Sequence, residues 1–126
     1  MPWGATTAFA GVEVFTTSDI PVSNVPDNAI TVALDAGEKL DDQISAHLPA
    51  SPDEAEAVMQ RRMRSPEYKA HAEKLNQAYT GLARAWILGI QQLPAVVVDE
   101  HYVVYGEPDV TKALDEIQAR DSERNL

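Results

Sequence analysis

One run of residues limits the fold more than any other. Leu93-Pro94-Ala95-Val96-Val97-Val98 is apolar without alternation and is closed by Asp99. A half-exposed strand alternates apolar and polar side chains, whereas a strand apolar throughout needs cover on both faces of its sheet. Six residues are too few for a membrane span and short for a buried helix. Pro94 is tolerable only at the first position of such a strand, because proline cannot donate to an interior ladder. After Asp99-Glu100-His101, the segment Tyr102-Val103-Val104-Tyr105 reads as the returning arm of a hairpin. With 126 residues there is room for one domain, so a sheet between two layers of helix uses the whole chain.

The remaining elements follow from period and caps. Gly11-Val12-Glu13-Val14-Phe15 alternates and runs into a turn at Thr16-Thr17-Ser18-Asp19. Residues 20–28 are punctuated by proline and asparagine, and 29–34 read as a second strand. Leu40, Ile44 and Leu48 lie four apart, which predicts a helix from Gly37 to the stop at Pro49. Ser51-Pro52-Asp53-Glu54 opens the next helix, with Ala55, Val58, Met59 and Met63 as its buried face. Ser65-Pro66-Glu67 opens a longer one over 67–89, with Gly89 placed to end it. Leu75, Tyr79, Leu82, Trp86 and Ile90 form one stripe there, predicted to lie buried under the sheet. Gly106-Glu107-Pro108-Asp109 starts a last helix with Val110, Ala113, Leu114 and Ile117 inward, and 121–126 reads as a frayed tail. The order β–β–α–α–α–β–β–α is the plan of an α/β, thioredoxin-like domain over 11–120. It has a central mixed sheet of about four strands with helices on both faces. In that fold the proline opening the third strand is cis and faces the turn after the first.

The chemistry is narrow. There are no cysteines, which excludes thiol–disulfide exchange and cysteine-ligated metals. Twenty acidic against ten basic residues give a formal charge of −10, which argues against direct binding to nucleic acid or to an anionic membrane surface. His47, His71 and His101 show no metal-ligand spacing. Ser18 lacks a nucleophile elbow, and Thr17, Ser18 and Asp19 read as turn-capping residues. Arg61-Arg62-Met63-Arg64 closes its helix, where cations suit the dipole; it is also a possible docking patch for an acidic partner. No catalytic residue, metal site or cofactor is indicated.

Three segments carry a resemblance: 12–18 (VEVFTTS), 84–90 (RAWILGI) and above all 93–106 (LPAVVVDEHYVVYG). Over roughly 12–119 the chain resembles small proteins of integrating conjugative elements, encoded beside the genomic-island type of conjugative type IV secretion system. These carry a domain of unknown function. More distantly it is similar to thioredoxin-like pilus-assembly proteins of F-type conjugation systems. The resemblance implies a non-enzymatic, periplasmic accessory protein that binds a protein component of the conjugation apparatus. It supplies no catalytic residues. Rival readings are a cysteine-free enzyme of the glutathione-binding type and a cytosolic regulator of element transfer. Ala8-Phe9-Ala10 has the small-x-small form of a signal-peptidase site, so 1–10 is either the tail of an export signal, cleaved after Ala10, or a disordered N-terminus. The expected partner-binding edge is Thr17, Ser18 and Asp19 together with Leu93 and Pro94. There, backbone beside a cis proline would pair with an extended peptide.

Overall fold

The computed structural model describes residues 11–124. Its elements are β1 (Val12–Thr16), β2 (Ile30–Ala33), α1 (Ala36–Ile44), α2 (Pro52–Met63), α3 (Pro66–Leu88), β3 (Ala95–Val98), β4 (Tyr102–Tyr105) and α4 (Val110–Arg124). The strands form one mixed sheet in the order β2-β1-β3-β4. β1 runs parallel to β2 and antiparallel to β3, and β3 is antiparallel to β4. Asp99 and Glu100 both adopt positive φ in the β3–β4 turn, the twist that a tight hairpin favours.

β3 is buried throughout, as an unalternating apolar strand requires. Its side chains divide by parity. Val96 and Val98 join Val12, Val14, Val110, Ala113 and Ile117 in one cluster under α4. Ala95 and Val97 join Phe15 and Ala85 in the other, under α3. The two helical layers thus meet opposite faces of the same strands.

Several expectations need correction. α1 stops at Ile44 rather than running to Pro49, so Leu48 lies outside the helix. α2 buries none of its residues, and Met63 is half exposed. Most consequential, Trp86 is 86% exposed, and Tyr79 and Leu82 are exposed as well. The face of α3 toward the sheet carries small residues instead. Ala85 is buried, and Gly81 lies so close to β2 that a Cβ there would come within 2.6 Å of Val32 Cγ1. Large aromatics could not fit at that separation, so the helix is rotated by about one residue, roughly 100°, from the stripe the sequence suggests. The helix ends do fall where their caps place them. The Ser65 hydroxyl accepts from the Tyr68 amide, and Gly89 takes the left-handed cap position.

Candidate partner-binding edge

β1 and β3 end side by side at one rim of the sheet. Phe15 is paired with Ala95, and continuing that antiparallel register brings Thr16 and Thr17 level with Pro94 and Leu93. The Leu93–Pro94 peptide bond is cis, as expected. Pro94 is buried and Leu93 half-buried, while Ser18 and Asp19 are exposed. The Pro94 carbonyl accepts from the Gly106 amide at 2.9 Å, which anchors this rim to the end of β4. The backbone N–H and C=O of Leu93 have no backbone partner among the described residues.

The turn after β1 is built by its own hydroxyls. Buried Thr16 donates from Oγ1 to the Ile20 carbonyl at 2.7 Å, and the Ile20 amide donates to the Thr17 carbonyl. Ser18 is held from a distance in sequence. Its hydroxyl donates to Asp35 Oδ2 at 2.6 Å, and its amide donates to the same carboxylate at 3.1 and 3.3 Å. The parallel register explains this meeting. Thr16 lies beside Ala33, so the second residue past each strand, Ser18 and Asp35, also lie together. Asp35 is the residue before α1, but its side chain does not cap that helix. The Ser18 hydroxyl, followed by the Ser18 amide, holds the Asp35 carboxyl below its ordinary range. A carboxylate so held is a poorer base, so the pair serves as a tie between two turns.

Asp35 is the site residue that motif reading missed. The signal available was positional: residues following two parallel strands become neighbours. The Arg61-Arg62-Arg64 cluster is partly spent on structure, since Arg62 Nη1 donates to the Ile44 carbonyl at 2.6 Å at the end of α1. Among the described residues no group of three His, Asp or Glu could hold a metal ion, and no helix is long and apolar enough to cross a membrane.

A family model for proteins of unknown function, DUF1525, matches residues 9–123. The chain belongs to that family. The DUF1525 match takes in every strand and the rim described above. A search of curated proteins and a search of solved structures returned no match. Residues 8–10, where a signal-peptidase site is expected, fall outside the described residues.

Proposed function

We propose that the protein is a non-enzymatic binding module that takes an extended segment of a partner protein at the rim formed by Thr17, Ser18, Asp19, Leu93 and Pro94. The observation that carries this reading is the backbone of Leu93, which has no backbone partner among the described residues. It lies at the end of a fully laddered strand and beside an exposed turn. An N–H and C=O left open next to accessible surface recognise another backbone as an added strand does. The sheet order, the parallel β1–β2 pair and the proline before β3 support a thioredoxin-like reading of the fold. In such a domain without cysteine, recognition remains and thiol chemistry does not. The resemblance to proteins of integrating conjugative elements supplies the setting: a conjugative transfer apparatus, with the periplasm as compartment and one of its protein components as partner.

The test is affinity capture from cells carrying the whole element, with the exported protein as bait. Asp19→Trp places bulk on an exposed turn residue without touching the core. Any partner held by the wild type is expected to fall at least tenfold in yield with Asp19→Trp, while the melting temperature stays unchanged. Capture of the same partner in equal yield by both baits overturns this rim as the binding surface.

A further inference from the structure

β2 is one of the two edge strands of the sheet, β4 being the other. Among the described residues it is bonded on one side only, to β1. The rung from the Leu34 amide to the Thr16 carbonyl, 2.8 Å long, fixes which residues face inward. Backbone groups alternate sides along a strand. Thr31 and Ala33 therefore turn N–H and C=O outward, and neither has a backbone partner among the described residues. Natural edges are usually blunted by proline, charge or a bulge. Ile30-Thr31-Val32-Ala33 has none of these, and Ile30 is 63% exposed.

Beside this edge lies a groove of about 520 Å³. Ala36 and Leu40 of α1 and Ala78 and Gly81 of α3 form its apolar walls, with Lys74 the only charged lining residue among the described ones. Lys74 makes no ion pair among the described residues, in a chain of formal charge −10. We propose that β2 is a second docking surface, which adds an extended strand from a different protein. That strand turns apolar side chains into the groove and sets a carboxylate against Lys74. A second copy of this chain fits less well. Its β2 carries no acidic residue for Lys74, and two copies would bring like charges together.

The probes are labelled heptapeptides read by fluorescence anisotropy. One is Thr-Val-Thr-Glu-Thr-Val-Thr, whose even positions share one face. A second has Lys in place of the central Glu. A third is the Glu peptide N-methylated at alternate residues, so that it cannot pair with an edge. The full chain should bind the Glu peptide at least tenfold tighter than the other two. Lys74→Glu should reverse the preference between Glu and Lys. Thr31→Pro, which removes an outward donor and which an edge strand tolerates, should weaken the Glu peptide at least tenfold. Asp19→Trp should leave its binding unchanged. Equal binding of the Glu and Lys peptides, undiminished binding of the N-methylated one, or no binding of any overturns the proposal. So does loss of binding in Asp19→Trp, which would move the contact to the other rim. A dimer in sedimentation that Thr31→Pro dissociates would assign the edge to a second copy instead.

Discussion

Ser18 and Asp35 stand seventeen positions apart, and three hydrogen bonds between them join the turn after β1 to the start of α1. The consequence for stability has a definite sign. The folded chain holds the Asp35 carboxyl below its ordinary 3.8, chiefly through the Ser18 hydroxyl. A carboxyl lowered by folding contributes stability that is present above its unfolded pKa and lost as pH falls through its folded one. The melting-temperature difference between wild type and Asp35→Asn should therefore be constant from neutral pH down to about pH 5. It should shrink as the pH is taken below about 3.8. A difference that holds level down to about pH 2 would show that this carboxylate adds no pH-dependent stability. The pair also shows how much of the candidate site was readable in advance. Thr17, Ser18 and Asp19 are visible as a turn in the sequence. Their partner is not, because finding Asp35 requires the register of two strands rather than any local pattern.

At the scale of the element, α3 sets bulk against closeness. Hydrophobic period alone selects its largest residues, Tyr79, Leu82 and Trp86, as the inner stripe. The sheet instead receives Gly81 and Ala85, with the Gly81 backbone pressed against Val32. Periodicity gives the existence of such a helix, and the caps at Ser65 and Gly89 give its ends. Periodicity gives rotation poorly when small residues allow a close approach, because a small side chain carries little weight in a hydrophobic pattern. Two substitutions make the point measurable by chemical denaturation. Trp86→Ala should change stability by no more than about 0.5 kcal/mol, as at an ordinary surface position. A buried tryptophan would cost about 3–5 kcal/mol. Gly81→Ala gains about 1 kcal/mol of helix propensity, yet it should destabilise the fold by a net ~1 kcal/mol. The new methyl meets a stiff, β-branched Val32 that cannot swing away. The strands were legible for the opposite reason: β3 contains only apolar residues, so no rotation could mislead.

Across the whole molecule, order is unevenly supported. β1, β3 and α4 share one buried cluster, and Phe15, Ala95, Val97 and Ala85 make the other. Arg84 reinforces the second from outside the apolar set, forking onto Glu13 at 3.0 and 3.1 Å and reaching Glu100 at 2.6 Å. α2 has no share in either cluster and buries none of its residues. Regions with few buried contacts open at a small fraction of the global unfolding cost. Native-state hydrogen exchange should therefore find the amides of 52–63 exchanging orders of magnitude faster than those of 95–98, and equal protection would contradict it. The bond from Arg62 to the carbonyl of Ile44 ties this helix to the end of α1. An element that buries none of its residues is also a natural seam. The exposed residues Ala50 and Ser51 before α2 form a place where a fluorescent or enzymatic reporter could be spliced into the chain. Such a fusion lets the protein be followed in living cells while its partners are sought.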